Sequence, residues 1–172
     1  IAGMRGVDAG VDSKIIQYNY DYGVKAAQAG FVVFCPDARG FGERRESLSA
    51  KPEQILDSSC RQLSHMAQPL GLTVAGMWTW DLMVLLDYMQ TRPEIQGRKI
   101  GAIGLSGGGA QVMWLAALDK RIDCAVISGY FYGVEDSLLT LSANCECNYI
   151  PHLWEHADMG DIGALALGAA LG

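Results

Sequence analysis

Residues 100–128 place the tightest constraint on what this chain can fold into. Ile100–Leu105 is a short apolar run, a lone serine follows among glycines, residues 108–118 carry a strongly apolar helical pattern, and Cys124–Ser128 (CAVIS) is a second short apolar run. Two runs joined through a helix lie parallel, because the crossover returns the chain to the same end of the sheet. Strands apolar on both faces need cover on both faces. The expected fold class is therefore α/β: a three-layer sandwich around a mostly parallel sheet.

The same alternation extends upstream. Residues Ile15–Ala29 space aromatics and aliphatics as a helix does, and Gly30 suits a left-handed stop. Phe31–Cys35 (FVVFC) reads as a buried strand closed by Pro36. Gly76–Gln90 reads as a helix with Trp78, Leu82, Leu85 and Met89 on one face and Asp81 and Asp87 on a wetter side; Arg92-Pro93 ends it. Trp78, Trp80, Tyr88 and Trp114 sit at helical spacing and read as packing residues rather than a ligand box. No internal repeat and no Pro/Ser-rich linker divides the 172 residues, so residues 1–172 read as one domain.

The formal net charge is -6 and no Lys/Arg block occurs, which argues against nucleic acid and anionic membranes as partners. The start of the chain lacks the pattern of a signal peptide, and the apolar stretch Ile162–Leu171 is about half the ~20 residues a membrane span needs. Five cysteines, odd in number and irregular in spacing, suit free thiols in a reducing compartment and favour the cytoplasm. Oligomeric state is not legible.

Gly104-Leu105-Ser106-Gly107-Gly108 fits G-x-S-x-G between a strand and a helix. That context puts a serine hydroxyl on a sharp turn at the carboxyl end of a strand, where side chains at the flanking glycines would collide with backbone. Ser106 is the candidate nucleophile, and the Gly107 N–H, at the positive end of the following helix, the candidate oxyanion donor. A purely structural turn is the alternative. A dinucleotide fingerprint would need glycine where Ser106 and Val112 stand, and the G-K-[ST] of a phosphate loop is missing. Tyr130, just past the third strand at the ligand-binding edge of an open α/β sheet, is a candidate pocket residue. His65 reads as surface. His152 and His156 follow the nucleophile, with Asp158 and Asp161 nearby, but a triad so compact matches no arrangement for this turn. Cys145, Cys147, His152 and His156 could be drawn as zinc ligands, yet C-x-C is shorter than the usual spacing, and the expectation is no metal and no cofactor.

The ordered blocks FCPDARGFGERRE (Phe34–Glu46), SSCRQL (Ser58–Leu63), WDLMVLLDYMQTRPEI (Trp80–Ile95), IGAIGLSGGG (Ile100–Gly109), RIDCAVISGYF (Arg121–Phe131) and CECNYIPHLWEHADMGDIGAL (Cys145–Leu165) resemble the α/β-hydrolase superfamily. Within it the chain looks like the dienelactone-hydrolase-like and acetyl-xylan-esterase-like serine esterases. The resemblance implies an α/β-hydrolase-type sandwich and a carboxylic ester hydrolase acting on a small ester through an acyl-enzyme on Ser106. Dienelactone hydrolases proper use cysteine, so serine leans toward ester hydrolysis. Asp37 and Arg39 would lie on a loop at the active-site edge, the arginine pinning it to carboxylates. The family also implies an H-G-x-G-like loop before the first helix and an acid and histidine after further strands, none of which the sequence supplies in place. The expectation is therefore an incomplete domain, cut at both ends, and its rival is a catalytically silent fragment or scaffold lacking the triad acid and base.

Overall fold

The computed structural model describes residues 12–13, 16–17, 21–46, 58–140 and 144–168. The regular elements are α1 (Tyr22–Gln28), α2 (Cys60–Ala67), α3 (Val74–Gln90), β1 (Gly101–Leu105), α4 (Gly107–Leu118), β2 (Cys124–Ser128) and α5 (Met159–Gly168). The chain divides into two compact units, Ile1–Gln62 and Leu63–Gly172. No single helix among the described residues is long and apolar enough to cross a membrane.

In the first unit, α1 ends as its sequence dictates. Gly30 adopts φ +94°, its N–H donates to the Ala27 carbonyl at 3.0 Å, and the Phe31 N–H donates to Ala26 at 3.2 Å. These two bonds close the helix with a left-handed glycine. Most of the expected helix before Asp21 lies outside the described residues. The expected strand Phe31–Cys35 is not one: residues 31–38 have no regular structure, and Phe31 and Val32 are 70% and 60% exposed. Strand preference expresses packing on a sheet, and among the described residues no ladder reaches this run. The loop after it is ordered by its own atoms. Asp37 Oδ2 accepts the Glu43 N–H at 3.2 Å, Arg44 Nη1 donates to the Asp37 carbonyl at 3.1 Å, and Gly40 N–H donates to the Arg44 carbonyl at 2.9 Å. Gly42 has φ +52°, and a Cβ there would lie 2.2 Å from the Asp37 carboxylate.

In the second unit, Thr73 caps α3 by accepting the Gly76 N–H on Oγ1 at 3.0 Å. The helix buries Val74, Ala75, Trp78, Thr79 and Leu86, whereas Leu82, Leu85 and Met89 are half-buried. Trp80, Val84 and Tyr88 form a second apolar stripe on an exposed side. α3 is apolar around most of its circumference, so periodicity alone could not select its inner face.

β1 and β2 pair parallel, Gly101 opposite Cys124 through Leu105 opposite Ser128, with α4 as the crossover. Side chains alternate across a strand. Gly104 and Ile127 face α4, while Ile103 and Val126 on the opposite face are 56% and 48% exposed. The core lies where α4 meets α5 and the chain after β2: Ala110, Met113, Tyr130, Val134, Met159 and Ile162, with Trp114, Ile127 and Tyr132 against them. Met113 and Met159 are at most 1% exposed, and burial of each side chain contributes about 1.5–3 kcal/mol. This parallel β-α-β unit with helices on one face is an incomplete α/β sandwich.

Candidate active site

β1 ends at Leu105 and α4 begins at Gly107, which leaves Ser106 alone to reverse the chain. Its backbone sits at φ +54°, ψ -117°, a region that residues with a Cβ rarely occupy. The strain is held from two sides: the Ser106 N–H donates to the Ser128 carbonyl at 2.8 Å, and the Ser106 carbonyl accepts the Ala110 N–H at 3.0 Å. The side chain is exposed and makes no capping bond to its helix.

The glycines around it divide by role. A Cβ on Gly104 would lie 2.0 Å from the Gly108 carbonyl oxygen; one on Gly109 would lie 2.9 Å from the Ser128 oxygen and 3.0 Å from Tyr130 Cβ. A Cβ on Gly107 or on Gly108 would stand in open space. The expectation that both flanking glycines of G-x-S-x-G are sterically required thus holds for Gly104 and fails for Gly108. Helix α4 crosses β1 so closely that the strand glycine meets the helix backbone, while Gly108 itself points outward. Gly109, outside the five-residue pattern, is the second constrained position.

Ala110 supplies the first intrahelical bond of α4, so the N–H groups of Gly107, Gly108 and Gly109 have no carbonyl within the helix to satisfy them. Together with the positive end of the helix dipole they can receive an anion forming next to Ser106.

Tyr130 does not line an open pocket. It is 7% exposed, edge-on to Tyr132 with ring centroids 5.1 Å apart, and both phenol hydroxyls donate to Asn148 Oδ1 at 2.8 Å. Burial, then the Tyr132 hydroxyl, pushes the Tyr130 phenol well above its ordinary range, so it stays neutral. Asn148, on the short turn Glu146–Asn148, donates through Nδ2 to the Cys145 carbonyl at 3.0 Å and toward Cys147 Sγ at 3.6 Å. Sequence reasoning passed over Asn148, whose only signal was a lone amide side chain in the CECNYI run. Of the three aromatics after β2, Phe131 is the exposed one at 51%.

Asp37 and Arg39 belong to the first unit, where Asp37 is occupied by the turn it folds and Arg39 is half-buried. None of the three histidines hydrogen-bonds Ser106 among the described residues. His65 is exposed on the last turn of α2, His156 is exposed, and His152, 77% exposed with φ +64°, puts Nδ1 2.8 Å from Glu155 Oε1. Asp158 is taken by structure: its Oδ1 accepts the N–H of Val134 at 2.9 Å and of Met159 at 2.6 Å, and its own N–H donates to Asp161 Oδ2 at 2.8 Å. These bonds hold the chain where α5 starts. The compact His156–Asp158 triad is therefore not assembled, and among the described residues His152 and His156 do not gather with Cys145 and Cys147.

The model of the dienelactone hydrolase family matches residues 9–153. The chain is 32% identical over 142 residues to the Bacillus subtilis (strain 168) protein named Putative hydrolase YtaP, covering 79% of this chain and 42% of that protein. It is 31% identical over 61 residues to Uncharacterized protein PA2218 of Pseudomonas aeruginosa, covering 36% of this chain and 16% of that protein. The chain thus spans less than half the length of the curated relatives it matches. No solved structure matches it significantly.

Proposed function

Since this chain belongs to the dienelactone hydrolase family and has that family's α/β-hydrolase fold, we propose that it is the nucleophile-bearing part of a serine hydrolase acting on small carboxylic esters. Ser106 Oγ attacks the ester carbonyl, and the tetrahedral oxyanion is received by the Gly107 N–H at the start of α4. Collapse expels the alcohol, which takes up the proton lost from Ser106 Oγ, and leaves an acyl group on Ser106; water then releases it as the carboxylic acid and restores the Ser106 hydroxyl. One observation carries this reading: an exposed serine at φ +54°, ψ -117° between a parallel strand and a helix N-terminus. Strain of this kind, of order 1–3 kcal/mol, persists where the surroundings over-determine it, and it clusters at active sites. A preorganised N–H donor is worth roughly 10²–10³ in rate. The serine leans toward simple esters such as acetylated sugars.

The test is covalent labelling. A fluorophosphonate probe is expected to label the full-length protein at Ser106, with Ser106→Ala abolishing the adduct. A full-length protein that stays unlabelled would overturn the assignment.

A second reading is favoured by a separate observation, that no histidine hydrogen-bonds Ser106 among the described residues. On that reading residues 1–172 are a catalytically silent scaffold. Hydrolysis of p-nitrophenyl acetate by the 172-residue chain, measured beside its Ser106→Ala variant, separates the two. Equal rates select the scaffold, and a serine-dependent rate selects the hydrolase.

A further inference from the structure

The turn carrying Ser106 leans on one stretch of backbone, Ser128–Gly129–Tyr130. Ser128 accepts the Ser106 N–H at 2.8 Å, and the position where a Gly109 Cβ would stand is 2.9 Å from the Ser128 oxygen and 3.0 Å from Tyr130 Cβ. Any movement of Tyr130 is thus passed to the first turn of α4, whose N–H groups flank the serine. Beyond its packing in the core, the hydroxyl of Tyr130 is anchored on a buried amide. Asn148, 8% exposed, spends both lone pairs of Oδ1 on the hydroxyls of Tyr130 and Tyr132 and aims Nδ2 at the Cys145 carbonyl and Cys147 Sγ. Its hydrogen-bonding capacity is filled, so the ring can take only one orientation without stranding a buried hydroxyl.

We propose that Asn148 is a positioning residue: by keying the Tyr130 ring it holds the Ser128–Tyr130 backbone against the strained turn and so keeps Ser106 and the α4 N–H groups in attacking geometry. The inference rests on the serine-hydrolase reading. Asn148 acts through Tyr130, not through Tyr132, because only Tyr130 abuts the turn.

The experiment measures the second-order rate of fluorophosphonate labelling at Ser106 in the full-length protein, together with the thermal midpoint of each variant. Labelling of the unmodified protein is the control for the serine reading; if it is absent, that reading has failed and this one falls with it. Given labelling, Asn148→Leu removes the acceptor that both hydroxyls share and is expected to slow it roughly tenfold to a hundredfold, the scale of a displacement of about 1 Å. Adding Tyr130→Phe to Asn148→Leu removes the stranded hydroxyl that drives the ring out, and most of the rate returns. Adding Tyr132→Phe instead restores no rate, although it too removes a hydroxyl that has lost its Asn148 acceptor. A merely structural role would make labelling follow the thermal midpoint in both double variants. Equal rescue by the two, or an unchanged rate in Asn148→Leu, overturns the proposal. Should Asn148→Leu not fold, Asn148→Ala takes its place in both double variants: rescue by Tyr130→Phe and not by Tyr132→Phe supports the proposal, and equal rescue or an unchanged rate overturns it.

Discussion

A methyl group on Gly104 would lie 2.0 Å from a carbonyl oxygen, one on Gly109 2.9 Å from another, and one on Gly108 in open space. These three glycines around one serine therefore have different physical reasons to be there. Gly104→Ala forces β1 and α4 apart and is expected to cost several kcal/mol, beyond the ~1–3 kcal/mol of ordinary overpacking, because the obstacle is backbone that cannot change rotamer. Gly109→Ala should cost about 1–3 kcal/mol. Gly108→Ala should be neutral or stabilise by up to about 1 kcal/mol, since alanine loses less freedom in a helix. Urea unfolding of the three variants checks the order, and a Gly108→Ala as damaging as Gly104→Ala would contradict it. The strained serine was legible from G-x-S-x-G in its strand-to-helix context. Which glycines the turn requires was not, since that depends on how closely α4 crosses β1.

At the scale of elements, Arg121 ties α3 to the connection between α4 and β2. Its Nη1 lies 2.6 Å from Asp87 Oδ1, its Nη2 2.6 Å from Asp119 Oδ2 and 3.3 Å from the Met83 carbonyl. The Asp119 side chain is 6% exposed, and the Arg121 hydrogen bonds hold its carboxyl below the usual range against the opposing effect of burial. A lowered folded-state pKa stabilises above the unfolded value, about 3.9, and the contribution disappears as pH falls through the folded value. Asp119→Asn is expected to cost roughly 1.5–3 kcal/mol near neutrality, in the range of charged hydrogen bonds. The gap between parent and variant should stay constant down to about pH 5 and close below about pH 4. Urea titrations at neutral and acid pH check this, and a gap that widens on acidification would refute it. Helix and strand boundaries were legible where pattern and punctuation agree: β2 spans the expected Cys124–Ser128, and Gly30 stops α1. Phe31–Cys35 has the same apolar signature as β2 but no partner among the described residues, because a strand exists only by pairing.

For the whole molecule, thiol exposure gives a direct check on the packing. Cys35 and Cys124 are exposed, whereas Cys60 and Cys147 are buried. Brief native-state treatment with iodoacetamide should alkylate Cys35 and Cys124 and spare Cys60 and Cys147 until denaturant is added, as read by peptide mass. Rapid native labelling of Cys147 would mean that the packing around Asn148 is wrong. Cys124, paired with Gly101, stands on the same sheet face as Val126 and Ile103, so its reactivity also reports that this face is accessible.

By itself the sequence determined the parallel β-α-β unit, the family and the serine at its bend, because each rests on local chemistry: alternation of apolar runs, a helix too long for a hairpin, glycines where a Cβ cannot go. Only the tertiary structure decided which face of α3 is buried, that Asp158 serves a helix start rather than a histidine, and that Tyr130 turns inward to Asn148. Those outcomes depend on which groups distant parts of the chain bring within hydrogen-bonding or van der Waals reach, and no spacing along the chain encodes that.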